Sequence, residues 1–393
     1  MTAFLNALGL NCALGQNQAA VAAALLAGDS SGLRRQAGWL PEGLALVAPL
    51  RGPEPAALAP ALAAHGSRNN RLLLQAAGQI EAPLREAVQR YGAARVAVIL
   101  GTSTSGIEES RGGLQAYLHS GALPAGYPYP QQLLESPAEC LAQWLGSQGP
   151  TYVISTACTS SGRALMSARR LLAMNAVDAV VCGGVDTLCQ LTVAGFSSLA
   201  AVSAERCNPC SANRDGINIG EAAVVFLMTR ERPTEGPAIA LLGAGASSDA
   251  HHISAPAPDG AGAISAMRQA LAQAGLAPEQ IGYLNLHGTA TLHNDAMESL
   301  AVAAVFPQGV PCSSTKPMSG HTLGAAAALE AAFCWLSLQH RQLPPHLWDG
   351  VADPGLPALR LAEPGQPLLQ PYLMSNSFAF GGNNVSLVIG AAP

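Results

Sequence analysis

The chain of 393 residues is 49% apolar and only 11% charged, against about a quarter charged in ordinary soluble domains, so much of its surface must be small, neutral or covered by a partner. The net charge of −5 gives no basis for nucleic-acid binding, and the length allows more than one unit around a large core. Nine cysteines, an odd number scattered through apolar runs such as Val180-Val181-Cys182-Gly183, read as the reduced thiols of a cytoplasmic protein.

In chain order, Met1 to Leu10 lacks the basic start of a signal peptide. Ala94 to Leu100 is a predicted strand ending in the polar loop Gly101-Thr102-Ser103-Thr104-Ser105-Gly106. Thr151 to Ser155 is a second strand and Ala179 to Cys182 a third. Between them Leu165, Met166, Ala168, Leu171 and Leu172 recur at helical spacing from Ser160 to about Met174, with Arg163, Arg169 and Arg170 on a wetter face. Strand, helix, strand implies parallel pairing and an α/β fold.

The strand Ala222 to Met228 runs into the charged, proline-bearing segment Thr229 to Gly236, which divides the chain into residues 1–235 and 236–393. The rhythm then resumes with a strand at Ala238 to Leu242, a helix at Ala263 to Ala274, a strand at Tyr283 to Leu286 and a helix at Ala296 to Val305. Leu323 to Leu338 is the longest apolar stretch. It carries Glu330 and falls short of the about 20 residues a bilayer needs, so it reads as a buried helix. Tyr372 to Phe378 and Val385 to Ile389 close the chain as β-prone runs.

Chemistry concentrates where polar islands interrupt this apolar background. Cys158 lies between a strand and a helix, where free backbone N–H groups and the helix dipole favour a thiolate and predict a lowered thiol pKa. His287 lies just past a strand, and His321 just before an alanine-rich helix. Each histidine alone reads as structural. Together with Cys158, and with Lys316 five residues before His321, they form a set suited to acyl chemistry in which an enolate or oxyanion is stabilised. Cys207-Asn208-Pro209-Cys210 has CxxC spacing but no second pair at zinc-site distance, so no metal is expected. His251, His252 and His293 read as outer or surface residues.

The islands Thr-Ala-Cys158-Thr-Ser, His287-Gly-Thr-Ala-Thr, Thr-Lys316-Pro-Met-Ser-Gly-His321-Thr-Leu-Gly-Ala and Asn-Ser-Phe378-Ala-Phe380-Gly-Gly-Asn resemble, in order, the motifs of the elongating Cys-His-His β-ketoacyl-acyl-carrier-protein synthases. The resemblance extends to Gly101–Gly106 and to Asn213-Arg214-Asp215-Gly216. It implies a thiolase-like fold of two related halves in five αβαβα layers, usually dimeric. It also implies a mechanism in which Cys158 takes an acyl chain from the phosphopantetheine arm of an acyl carrier protein, with no free cofactor, and condenses it with a malonyl thioester held by His287 and His321.

By the same resemblance, the N–H groups of Cys158 and Phe380 form an oxyanion hole. Lys316 pairs with a buried acid, for which Glu330 is the candidate. Thr289 and Thr291 bind the pantetheine arm, and Phe380 is the gate. Asp295 and Phe378 support the site, while Arg68, Arg71 and Arg206 are candidates for docking an acidic carrier protein. Ala379 stands where a glycine is usual, Asn383-Asn384 where Thr-Asn is common, and Ile219–Ala223 where the family is richer in glycine, a pattern closer to specialised pathways such as aryl polyene synthesis.

Three alternatives share parts of this pattern. A chain-length factor lacks the cysteine, although this chain can pair with one as a heterodimer instead of forming a homodimer. A thiol hydrolase needs no second histidine and lysine. A thiolase would carry a second cysteine in a Cys-Gly-Gly-Gly run, which does not occur near the C-terminus.

Overall fold

Apolar runs here form strands covered on both faces. In Val96–Gly101, Val98 and Leu100 point into one core while Ala97 and Ile99 point into another, as expected of a parallel strand buried on both sides. The computed structural model describes residues 2–125, 127, 129–234, 236 and 238–392. Five strands of the large sheet belong to the first part of the chain: β1 (Ala3–Cys12), β2 (Val96–Gly101), β3 (Thr151–Ile154), β4 (Ala179–Asp186) and β5 (Ala222–Thr229). Six follow: β6 (Ile239–Ser248), β7 (Tyr283–Asn285), β8 (Pro311–Ser313), β9 (Arg360–Leu361), β10 (Tyr372–Ala379) and β11 (Asn383–Ala391).

These 11 strands form one hydrogen-bonded series, β9-β8-β7-β10-β11-β6-β1-β5-β4-β2-β3, beside a small two-stranded sheet of Arg34–Gln36 and Ala45–Val47. Its two parts repeat one plan. Counting strands within each part, and setting aside the short β9, both run in the order third, second, fourth, fifth, first. The first three of these pair in parallel and the rest antiparallel, in both parts. The parts join where Ala3 and Phe4 of β1 pair antiparallel with Leu241 and Ala240 of β6. The dividing point read from the sequence falls at Glu235, outside the described residues.

Six helices matter for the site: α1 (Arg68–Gly78), α2 (Ser136–Leu145), α3 (Ser160–Ala173), α4 (Ala261–Ala274), α5 (Leu292–Val305) and α6 (Ala326–His340). α1 and α2 pack on the outer face of the first part, and α4 and α5 on that of the second. α3 and α6 share a core with strands of both parts and form the central layer. This is the five-layered, thiolase-like αβαβα arrangement.

α6 is buried along every face from Ala326 to Ser337, as a helix apolar all round must be. Its Trp335 indole donates to the Leu5 carbonyl at 3.2 Å, tying the centre to β1. It is the apolar stretch that the sequence marks as a buried helix, and among the described residues no helix is long and apolar enough to cross a membrane.

Candidate active site

β3 ends at Ile154 and α3 begins at Ser160, so the chain must reverse within five residues. Ala157 adopts φ 52° to do so, and the turn is pinned by Thr156 N–H donating to Ser160 Oγ (2.9 Å) and Thr159 Oγ1 donating to the Thr156 carbonyl (2.7 Å). Gly101, at the end of β2, lies against the same turn. A Cβ there would collide with the backbone of Ser160 and Ser161, so the close approach requires glycine. The result is an elbow that presents Cys158 to the other half of the molecule.

That half meets it with two imidazoles. Nε2 of His321 lies 3.0 Å from Cys158 Sγ. The His287 ring stands edge-on to His321, with centroids 5.3 Å apart, and also packs against Phe378 at 6.2 Å. Cys158, His287 and His321 are 5%, 1% and 2% exposed, and their donor atoms all fall within 4.8 Å of one another.

His321 is held from both sides of its backbone: its N–H donates to the Asn218 carbonyl (2.7 Å), and its carbonyl accepts from Gly220 N–H (2.9 Å). Lys316, equally buried, is ion-paired to Glu330 of α6. That pairing is what an ammonium and a carboxylate inside an apolar helix require, because either one alone would be costly to bury.

The electrostatics depart from the sequence expectation at one point. A lowered thiol pKa is expected at a helix start, yet burial pushes the Cys158 thiol up to about 12. Lys316 and the backbone N–H groups of Cys158 and Phe380 pull in the opposite direction without overcoming burial. The resting group is therefore a thiol beside a neutral imidazole. Burial first, then the Lys316 charge, hold both His287 and His321 well below the ordinary histidine value. Burial also raises Glu330 to about 7 against the pull of Lys316.

Two buried acids around the catalytic loops were missed by the sequence reading. Glu298 of α5 accepts from the N–H groups of His287 (2.9 Å) and Gly288 (2.7 Å), and from Asn376 Nδ2 (3.3 Å). Asp186, at the end of β4, accepts from Thr102 Oγ1 and Thr104 Oγ1 (both 2.7 Å), from Ser103 Oγ (2.6 Å) and, across to the other half, from Gly324 N–H (2.6 Å). Glu298 carried the same signal as Glu330, an acid inside an apolar helix. Asp186 had none, because its partners come from two loops far apart in the chain, Thr102–Thr104 and Gly324.

The set opens into a cavity of about 570 Å³ that reaches the surface between Phe196, Leu199, Ser254 and Leu292. Thr289 and Thr291 line it with their hydroxyls 3.0 Å apart. Phe380 lines it too and packs at a tilt against Phe196, with ring centroids 5.5 Å apart. His252 and His293, read from sequence as outer residues, are exposed but line the cavity mouth. Asp295 accepts from the N–H groups of Cys210 (2.8 Å) and Ala290 (3.1 Å), which fixes the base of the 288–291 loop.

The basic residues divide. Arg68 is not a free docking cation: its guanidinium is committed to Glu54 and to the buried Glu221. Arg71 is half-buried, and Arg206 is exposed. Cys207 and Cys210 are free thiols, as are the other seven cysteines.

Comparison with known proteins places this geometry. Residues 59–233 match the family described as beta-ketoacyl synthase, N-terminal domain, and residues 239–348 match beta-ketoacyl synthase, C-terminal domain. The chain is 32% identical over 318 residues to 3-oxoacyl-[acyl-carrier-protein] synthase 2 of Vibrio cholerae, covering 77% of each chain. It is 38% identical to the mitochondrial 3-oxoacyl-[acyl-carrier-protein] synthase of Arabidopsis thaliana over 63% of this chain, and that match spans 57% of the plant enzyme. Among solved structures, the ketosynthase ApeO of Xenorhabdus doucetiae, determined in complex with its chain length factor ApeC, superposes with a TM-score of 0.94 at 45% identity over 100% of this chain and 98% of its own. A beta-ketoacyl synthase from Burkholderia phymatum superposes with a TM-score of 0.89 at 28% identity, with 100% of both chains covered.

Proposed function

Because this chain belongs to the β-ketoacyl synthase family, we propose that it is a 3-oxoacyl-[acyl-carrier-protein] synthase whose Cys158 carries the growing chain. The observation that carries the reading is the contact of Cys158 Sγ with His321 Nε2 at 3.0 Å, with His287 beside it, at the base of a cavity open to the surface. A hydrolase needs neither the second imidazole nor the buried Lys316–Glu330 pair.

The proposed cycle has two halves. In the first, the Cys158 thiol passes its proton to His321 and attacks the thioester of an acyl carrier protein. A C–S bond to Cys158 forms, the C–S bond to pantetheine breaks, and the carrier thiol leaves with the proton. The N–H groups of Cys158 and Phe380, which favour negative charge on the sulfur, hold the oxyanion in this reading.

In the second half, malonyl-carrier protein enters along Thr289 and Thr291. Its thioester carbonyl is held by His287 and His321, and carbon dioxide leaves with the C–C bonding pair left on an enolate. The enolate carbon attacks the acyl-Cys158 carbonyl, the C–S bond to Cys158 breaks, and the thiolate takes up a proton. The product is a 3-oxoacyl chain on the carrier. Neutral imidazoles suit the enolate, since they donate a hydrogen bond without protonating the carbon.

In this reading Phe380 gates the cavity, Phe378 and Asp295 support the site, and Arg206 and Arg71 face an acidic carrier protein in the cytoplasm. The proposed halves are residues 1–235, bearing Cys158, and 236–393, bearing His287, Lys316 and His321. The likeness to a ketosynthase solved with its chain length factor favours a second, compatible reading: the catalytic subunit of a two-subunit ketosynthase in a specialised pathway such as aryl polyene synthesis.

The test is to incubate the protein with an acyl-carrier protein, find the added acyl mass on Cys158, then supply malonyl-carrier protein and detect the 3-oxo product. Absence of acyl mass on Cys158 refutes the proposal. His287→Ala is expected to lower malonyl decarboxylation by roughly 10²–10³-fold, the cost of one oxyanion-type donor; full retention would remove His287 from its role.

A pH expectation follows from the depressed imidazoles. A lowered pKa keeps the neutral form present to lower pH, so the decarboxylation rate should be level from about pH 8 down through about 6.5, where an ordinary histidine would already be half protonated. A rate that halves near pH 6.5 would contradict it.

A further inference from the structure

One buried acid and one polar loop take no part in the proposed cycle, and they belong together. Asp186, at the end of β4, is fully buried. Its Oδ1 accepts from Thr102 Oγ1 and Thr104 Oγ1 (both 2.7 Å) and from Thr104 N–H (2.9 Å). Its Oδ2 accepts from Ser103 Oγ and Gly324 N–H (both 2.6 Å), and Ser103 N–H is shared between the two oxygens at 3.0 Å. Among the described residues no basic side chain lies within ion-pair distance of it. Hydroxyls and backbone N–H groups satisfy this acid, so the two segments that supply them must stay in register with each other.

Those segments lie on a continuous path between the two reacting groups. Gly101 abuts the Cys158 elbow and opens the Thr102–Thr104 loop. Asp186 gathers that loop, and Gly324, its partner in the other half, stands three residues after His321. The contacts are close: a Cβ on Gly184 would collide with Ser161 of α3, and one on Gly324 with Asp186 itself. Ser161 Oγ also accepts from Ala328 N–H of α6 at 2.9 Å. On its upstream side His321 is held by Asn218 and Gly220. Downstream, Leu323 adopts φ 52°, as Ala157 does just before Cys158, a left-handed conformation that is unfavourable for a side chain of this size. Such a residue persists where its surroundings over-determine it, and the Asp186–Gly324 tie is a restraint on that side.

We infer that Asp186 is a positioning residue for acyl transfer: it clamps the turn after His321 to the Thr102–Thr104 loop and so sets the approach of His321 Nε2 to Cys158 Sγ. Asp186, Thr102, Ser103, Thr104 and Gly324 do not line the cavity, so the effect runs through His321 and not through contact with substrate. This rests on the reading of Cys158 and His321 as the acyl-transfer pair, and adds the residue that fixes the distance between them.

Single-turnover acylation of Cys158 by an acyl-carrier protein, followed by mass, tests this, because it separates the rate from the number of working sites. In Asp186→Asn the new NH₂ faces a backbone N–H whichever way the amide turns, those of Ser103 and Gly324 on one side or of Ser103 and Thr104 on the other. Either way one of the two clamped segments is released. The acylation rate constant is expected to fall by roughly 10²-fold, the cost of about 1 Å of misplacement. The carrier concentration giving half the maximal rate should stay within about twofold of wild type, and the final acylated fraction should match it. An unchanged rate overturns the inference, and so does a reduced acylated fraction at the wild-type rate, the mark of a purely structural role. Should Asp186→Asn fail to fold, Ser103→Ala decides. It removes a half-buried hydroxyl that donates to Asp186 and accepts from Gly324 N–H at 3.2 Å, and is expected to slow acylation by about threefold or more; no slowing overturns the inference. Acylated wild type with unslowed variants refutes the positioning role alone, whereas wild type that takes no acyl mass refutes the synthase reading and the role with it.

Discussion

Replacing Cys158 by alanine is expected to abolish chain transfer, with no acyl mass on the protein and condensation reduced by roughly 10⁴–10⁶-fold, as when a nucleophile is removed from a concerted set. Decarboxylation of malonyl-carrier protein should survive, because the two imidazoles proposed to hold the malonyl carbonyl are anchored independently of the sulfur. His321 is fixed by the backbone of Asn218 and Gly220, and His287 by the carboxylate of Glu298 on its own and the next N–H. Neither anchor passes through Cys158. Carbon dioxide release, followed by radiolabel or coupled assay, measures this directly. Loss of both activities to the same degree would mean that the sulfur takes part in the decarboxylation itself.

Lys316→Met is the second large effect, and it falls on stability. The substitution leaves the Glu330 carboxyl inside α6 with no counter-charge, and breaking one side of a buried pair costs about 3–5 kcal/mol. For a chain of this size that corresponds to a melting temperature lower by roughly 5 °C. Burial already raises Glu330 to about 7 with the ammonium present, so without it the carboxyl protonates more readily and the penalty shrinks as pH falls. The double variant Lys316→Met/Glu330→Leu should recover most of the loss while remaining inactive, because packing is restored and the charge near the imidazoles is not. A single variant as stable as the wild type would show that the pair is solvated in the folded protein.

The central part of this site was legible in the sequence because it is local. A cysteine between an apolar strand and an amphipathic helix, histidines at element ends, and an acid in an otherwise apolar helix are each visible within a dozen residues. Contacts made across the fold were not. Arg68 read as a surface cation because its buried partner Glu221 is 153 residues away. The raised thiol pKa was missed for the same reason. The groups that close over the sulfur come from loops far along the chain, His321 being 163 residues beyond it, and burial by them outweighs the helix end that the local sequence advertises. Asp186 was invisible because its ligands are mostly backbone N–H groups and hydroxyls, which leave no charge pattern to read.

The repeated strand plan also relates the catalytic groups to one another. Cys158 follows the third strand of its half, and the loop carrying Lys316 and His321 follows the third strand of the other; the Thr102–Ser105 loop and His287 each follow a second strand. Nucleophile and imidazole thus stand at equivalent positions about an internal dyad, as do the Thr102–Ser105 loop gathered by Asp186 and the loop of His287. Each half thus offers the same pair of loops to the site, one bearing a thiol and the other a base.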